Sequence, residues 1–181
     1  MQTSTSEAKE MTAAPLKYLP NGKVDWGTMW NTFCKLASED GGRPHRGQMM
    51  QVTPTVNEAC EAYETVVTEL RRGIKEVSGL LALPAEPGWV AVVCASPSMA
   101  RWLNEAIVQE NVPARHRGHL LLVPAAADFT LKGEIKSVIT VVAKTTHYWN
   151  NHLPAEAKIA LEWEDRLAKL SMQVKRWLKL A

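Results

Sequence analysis

The stretch WVAVVCA at residues 89–95 places the strongest constraint on how this chain can fold. It is rich in β-branched residues and continuously apolar, which is the pattern of a strand covered on both faces. The sequence SPSMARW follows directly, and Ser96 with Pro97 has the form of a helix N-cap followed by proline at the first helical position. A covered strand that leads into a capped helix predicts a mixed α/β fold.

Helical periodicity recurs elsewhere in the chain. Asp25 can cap a helix over roughly 26–38, and apolar residues at helical spacing predict further helices after TPT (53–55) and within TLKGEIKSVITVVAKTTHYW (130–149). We therefore expect an α/β fold, with a helix-rich α+β arrangement as the alternative. It should contain a small sheet of about three to five strands flanked by amphipathic helices.

The segment 153–181 predicts a long C-terminal helix. Its apolar stripe runs through Ile159, Trp163, Leu167, Leu170, Val174 and Trp177. Acidic residues lie mainly in its first half and basic residues in its second, which complements the helix dipole. Because Trp163 is in the middle of the stripe, we expect it to be buried. Its replacement by alanine would then cost about 3–5 kcal/mol.

One eight-residue pattern occurs twice, as HRGQMMQV at 45–52 and as HRGHLLLV at 116–123. A Trp-containing helix and a breaker precede each copy, and a strand candidate and a longer helix follow. The strand candidate after the first copy is GQMMQV. This order predicts an internal duplication, with similar halves at about 20–80 and 88–152 related by a pseudo-twofold axis. The alternative is two hairpin-like entries that share Arg-Gly before a strand. We expect a single domain over 15–181, with 1–14 as a disordered tail and 153–181 as a helix outside the repeat.

The repeated turns are the candidate ligand-binding site. Gly47 and Gly118 permit a positive φ, whereas arginine side chains can hold carboxylate or phosphate oxygens. The histidines could cap a helix C-terminus or act as acid and base groups. Ser96 and Ser98 could donate hydrogen bonds to an anion, or Ser96 could simply cap its helix. The residues assigned to this site are His45, Arg46, Gly47, Arg115, His116, Arg117, Gly118, Ser96 and Ser98.

Several classes of protein are not indicated. The net charge is +2, which gives no global sign of nucleic-acid binding. No apolar run is long enough for a membrane span. The three cysteines form no Cys-x-x-Cys pair, so we expect reduced, mostly buried thiols in a cytoplasmic protein.

The chain also lacks the usual marks of metal sites and of common enzyme families. His116 and His119 would point to opposite faces of a strand, and His147 and His152 are five residues apart, a poor helical spacing for one metal ion. The dinucleotide, phosphate-loop and nucleophile-elbow motifs do not occur. The sequence therefore indicates no metal site, leaves any cofactor unknown, and names no reaction.

Two hypotheses about function follow. The first is a binding protein or small enzyme that recognises an anionic small molecule, a carboxylate or a phosphate, through the His-Arg-Gly turns. The alternative is a non-catalytic, homo-oligomeric assembly or adaptor protein that uses its amphipathic helices. The aromatic stretch around Trp149 could stack on a planar ligand or meet a partner. Nucleic-acid binding by the basic end of the last helix is less favoured, because the helix dipole already explains those charges.

Overall fold

The computed structural model of this protein describes residues 14–39, 49–52 and 60–178. Within them, five helices and a four-stranded sheet form a helix-rich α/β fold, which confirms the predicted class. The helices are α1 (Trp26–Glu39), α2 (Glu61–Ser78), α3 (Pro97–Gln109), α4 (Lys136–Asn151) and α5 (Ala155–Leu178). The strands are β1 (Ala82–Pro84), β2 (Trp89–Val93), β3 (Arg115–Arg117) and β4 (Leu120–Pro124), and a π-helical turn, Leu131–Ile135, precedes α4.

The sheet is antiparallel, with the strand order β1-β2-β4-β3. Its centre is the β2–β4 pair, in which Val92 lies opposite Leu121 and both side chains join the core that the helices form. Because side chains alternate along a strand, the neighbouring pair Ala91 and Leu122 points to the other face of the sheet, where both are also buried. The strand β2 is therefore covered on both faces, as its continuous apolar sequence predicts.

The helices α2 and α4 pack directly against each other. Gly73 of α2 lies so close to Ile139 of α4 that an added Cβ would overlap the Ile139 side chain. Ten of the sixteen residues of α4 are buried. A helix buried over so much of its circumference is a central element of the core.

The start of α1 is attached to α2 by a polar network. Asp25 caps α1, as predicted, by accepting a 2.8 Å hydrogen bond from the Thr28 backbone N–H. The hydrogen bonds from Thr28 lower the pKa of the Asp25 carboxyl. The Trp26 indole N–H donates to Glu69, and Arg72 donates to both Glu69 and the Val24 carbonyl. These contacts hold the buried Trp26 ring in place at the α1–α2 interface.

Two further local predictions are confirmed. Ser96 caps α3, accepting a hydrogen bond from the Met99 backbone N–H, and Pro97 opens the helix. The stretch 130–149 is helical, because Thr130 caps the π-helical turn that continues into α4.

The strand predicted at GQMMQV is not formed over its described part. Residues 49–52 lie outside any strand, and the Met50 backbone N–H donates to the Asn111 carbonyl at 2.8 Å. Met-Met-Gln has weaker strand propensity than the Leu-Leu-Leu-Val of the second copy, and a single backbone hydrogen bond does not make a ladder. The internal duplication stays a prediction, because the first His-Arg-Gly turn lies outside the described residues.

The tail predicted at 1–14 falls almost entirely outside the described residues as well. Ala14, the first described residue, is buried, and its carbonyl accepts a hydrogen bond from the buried Lys136 ammonium. Within the described ranges, no helix is long and apolar enough to cross a bilayer.

Candidate functional site

The second His-Arg-Gly motif forms a β-hairpin. Gly118 has a φ of 58° and, with His119, makes the two-residue connection between β3 and β4. This is the left-handed geometry that glycine adopts at little cost, so the positive φ predicted for Gly118 is confirmed. The motif differs from the prediction in one respect: His116 and Arg117 belong to strand β3 and do not form a turn before a strand. Their pairing with β4, and not any apolar pattern of their own, makes them a strand.

The two arginines of β3 have different partners. The Arg115 guanidinium lies over the Trp89 ring, 4.2 Å from its centroid, and makes no ion pair with any described carboxylate. Arg117 is 3.7 Å from the Glu86 carboxylate, with 72% of its side chain exposed. An exposed pair at this distance contributes little to stability. His116 is exposed on the same strand.

His45, Arg46 and Gly47, the first copy of the motif, lie outside the described residues. The prediction that both turns contribute to one ligand site therefore stays a prediction. Ser96 and Ser98 are 2.8 Å apart and share a hydrogen bond. Since Ser96 caps α3 and Ser98 is buried within its first turn, their described contacts are those of a helix N-terminus.

The described thiols and imidazoles form no metal centre. Among described residues, no group of three or more His, Cys, Asp or Glu side chains could hold a metal ion. Burial raises the pKa of the Cys94 thiol to about 11, which keeps it protonated and unreactive. His147 and His152 do come together, with 5.3 Å between ring centroids, because His152 lies just past the end of α4 and not on its helical repeat.

The aromatic stretch near Trp149 packs against α3. Trp149 is buried, and Trp102 lies between its ring and that of Tyr148, at centroid distances of 5.7 and 5.8 Å. Only Tyr148 of these three is exposed. These rings act mainly as packing between α3 and α4.

A cleft of about 660 Å³ lies beside α2. Its apolar lining includes Val66, Phe129 and Ile135, and its charged groups are Lys23, Glu61 and Glu69. The Glu69 carboxylate is already paired with Arg72. With two carboxylates against one lysine, the cleft does not match an anionic ligand.

Among the described helices, exposed large apolar residues are concentrated on α5. The exposed fractions of Ile159, Trp163, Leu167 and Leu170 are 54%, 57%, 61% and 57%. These four positions lie on one side of the helix, because they recur every three or four residues. We call this surface the free face of α5. The prediction that Trp163 is buried in the fold is wrong.

The opposite side of α5 holds the helix against the body. Leu161, about half a turn from Trp163, packs against the core. Arg101 of α3 contacts Glu164 at 3.1 Å and Asp165 at 3.3 Å. Met172 continues this inner side but is 63% exposed, so the contact with the body does not extend over the whole helix. The free face therefore points away from the body, and the contact with α3 fixes its direction.

The sequence predicts the apolar stripe of α5 but does not predict whether the fold buries it. The periodic stripe is visible in the sequence, but a stripe of this spacing is equally suited to a core or to a partner. No protein-family model matches the chain, and a search of curated proteins finds no match. The geometry of its surfaces is therefore the basis for assigning a function.

Proposed function

We propose that this protein is a non-catalytic assembly protein that self-associates through the free face of α5. One observation carries the proposal: four large apolar side chains in a row are each more than half exposed on a helix that the body already holds in place. Monomeric proteins rarely expose a contiguous apolar surface of this kind, whereas subunit interfaces do.

The electrostatic setting supports the same function. No charged residue interrupts the free face, and Arg166 folds beside it, with its guanidinium 5.3 Å from the centroid of the Trp163 ring. An apolar centre bordered by charged side chains is the usual anatomy of a protein interface. Trp163 at its middle is the residue type that most often contributes a large share of binding energy.

Size-exclusion chromatography with light scattering tests the proposal. At protein concentrations up to about 100 µM, a micromolar Kd would give a mass above that of the monomer. Leu167→Glu should return the protein to the monomer, because a carboxylate would be buried in an apolar contact. The melting temperature of that monomer should stay close to that of wild-type monomer, since Leu167 is exposed in the fold.

Ala168→Glu is the matched control. Ala168 is exposed and lies on the side of α5 away from the free face, so the same charge there should leave most of the association intact. A wild-type protein that is monomeric over the whole concentration range would refute self-association. Equal effects of the two substitutions would refute the assignment to the free face.

We propose anion binding at the β3–β4 hairpin as a second candidate function. The supporting observation is that the Arg115 charge is stacked on Trp89 and is opposed by no described carboxylate. Isothermal titration with inorganic phosphate and with citrate tests it, on the wild type and on Arg115→Met, Arg117→Met and Arg46→Met. Binding heat that is measured with the wild type and lost in the variants supports the site. Binding unchanged by all three substitutions, or undetectable in the wild type, counts against it.

A further inference from the structure

The proposed self-association raises the question of which surface of the second copy covers the free face. We infer that it is the free face of the second copy's α5, packed antiparallel in a closed two-fold pair. This inference rests on the proposed function and adds the partner surface and the direction of packing.

The spacing of apolar positions favours a helix as the covering element. Along the second half of α5, apolar residues occur at 167, 170, 174 and 177, separated by three, four and three positions. This is the alternation by which one helix packs along another with interdigitating side chains. A narrow seam of this kind is complementary to a second helix, and the same seam on a second copy supplies one.

The charges on α5 select the direction of packing. Residues 155–166 carry Glu156, Glu162, Glu164 and Asp165 against Lys158 and Arg166, a net charge of −2. Residues 167–178 carry a net charge of +3, because their three charged residues are Lys169, Lys175 and Arg176. An antiparallel pair places each acidic half beside a basic half, whereas a parallel pair would bring two +3 segments together.

Intramolecular contacts leave enough of this charge available. Arg101 binds Glu164 and Asp165, so those two carboxylates already have a partner. Glu156 and Glu162 are exposed, and no described ion pair involves either of them. Lys175 and Arg176 are exposed in the same way at the other end of the helix. Lys175 and Arg176 lie more than a quarter turn from the centre of the seam at 167 and 170, so they act on a second helix through the net charge of their half of α5. Exchange of these four charges should therefore report the direction of packing.

The same charges disfavour docking of α5 on the hairpin side of the sheet. That region presents Arg115 and Arg117, with Glu86 as the nearby acid. The +3 half of α5 would be repelled there. Such a contact would also join two different surfaces. Repeated from copy to copy, it would build open chains unless the rotation between successive copies closed a ring.

Charge exchange tested by sedimentation equilibrium distinguishes the arrangements. The variant Lys175→Glu/Arg176→Glu makes the second half of α5 acidic. In an antiparallel pair this half faces another acidic half, so we expect the dimer Kd to rise about tenfold or more. Adding Glu156→Lys/Glu162→Lys reverses the first half as well and should restore most of the affinity. In a parallel pair the first variant would instead remove a repulsion and strengthen the dimer.

Each outcome has a separate meaning. Weakening by the first variant with recovery in the fourfold variant supports the antiparallel pair. A wild-type dimer whose affinity is unchanged or increased by the first variant overturns the antiparallel direction but leaves self-association standing. A mass that keeps rising beyond the dimer overturns the closed pair. A wild type that stays monomeric overturns the proposed function itself.

The control changes the net charge by the same amount away from α5. Lys17 and Lys132 are exposed on the body, so Lys17→Glu/Lys132→Glu should leave the dimer Kd within about twofold of the wild-type value at 0.15 M salt. If this control weakens the dimer as much as the α5 variant does, the effect is one of net charge, and the antiparallel assignment fails.

Discussion

The helices α4 and α5 follow one another in the chain, and both carry apolar stripes, but their surroundings are opposite. In α4 the stripe is buried against α2 and α3, together with three threonines and a lysine. In α5 the part of the stripe from Ile159 to Leu170 faces solvent, and on the opposite side the described contacts with α3 are made by the first part of the helix. Apolar periodicity therefore marks an apolar surface but does not say whether the fold itself covers it.

The polar contacts of the two helices differ in the same direction. Lys144 on α4 pairs with Glu110 at 2.5 Å and extends the packing of α4 against the end of α3. On α5, Arg101 binds carboxylates on the inner side and thereby keeps the free face turned outward. The helix α4 is packed on several sides, whereas α5 contacts the body along one side only. We therefore expect substitutions in α4 to lower the free energy of unfolding more than substitutions in α5.

The largest effect should come from α4. Ile139 is fully buried between α2 and the rest of the core, so Ile139→Ala removes buried methylenes and leaves a cavity. We expect a loss of about 3 kcal/mol in the free energy of unfolding, measured by urea denaturation. Val108→Ala on α3, where the side chain is partly exposed, is the control and should cost less than about 1 kcal/mol. Equal losses would contradict the central position of α4.

A smaller loss is expected from adding volume at the same contact. In Gly73→Ala the new methyl group would meet the Ile139 side chain and come within 3.0 Å of the Trp26 indole nitrogen. Alanine is the better helix former, but the overlap should outweigh that gain and cost about 1–3 kcal/mol. Urea denaturation measures this loss. A variant more stable than the wild type would mean that α2 and α4 are less closely packed than the Gly73–Ile139 contact indicates.

A still smaller loss is expected where α5 meets the body. Arg101→Met removes both ion pairs to α5, and because Arg101 and Glu164 are partly exposed, we expect a cost of about 1 kcal/mol. Hydrogen exchange should become faster in 155–166 and stay unchanged in α4. Glu164→Gln, which keeps the contact with Asp165, should have a weaker effect. Faster exchange throughout the molecule would show that α5 is part of the core.

The features predicted correctly from the sequence are those that depend on a few adjacent residues. They include the Ser96-Pro97 cap, the Asp25 cap, the glycine of the hairpin turn and the apolar strand at 89–93. The short strand Arg115–Arg117 could not be recognised, because a polar Arg-His-Arg segment forms a strand only through its pairing with β4.

The burial of Trp163 could not be predicted from the sequence for a related reason. Burial of a helix stripe depends on where the preceding loop places the helix, and the stripe itself does not encode that. The loop at 152–154 positions α5 so that Leu161, and not Trp163, meets α3. The predicted role of the first His-Arg-Gly turn stays a prediction, since it falls outside the described residues.

The unfolding free energy of Trp163→Ala, measured at sub-micromolar concentration where the monomer dominates, tests the account most directly. Since 57% of Trp163 is exposed in the fold, we expect the variant to lose less than about 1 kcal/mol relative to the wild type under the same conditions. The same variant should show a clearly weakened association at high concentration. A loss of about 3–5 kcal/mol in the monomer, as for a buried tryptophan, would contradict the account, because the stripe of α5 would then belong to the core.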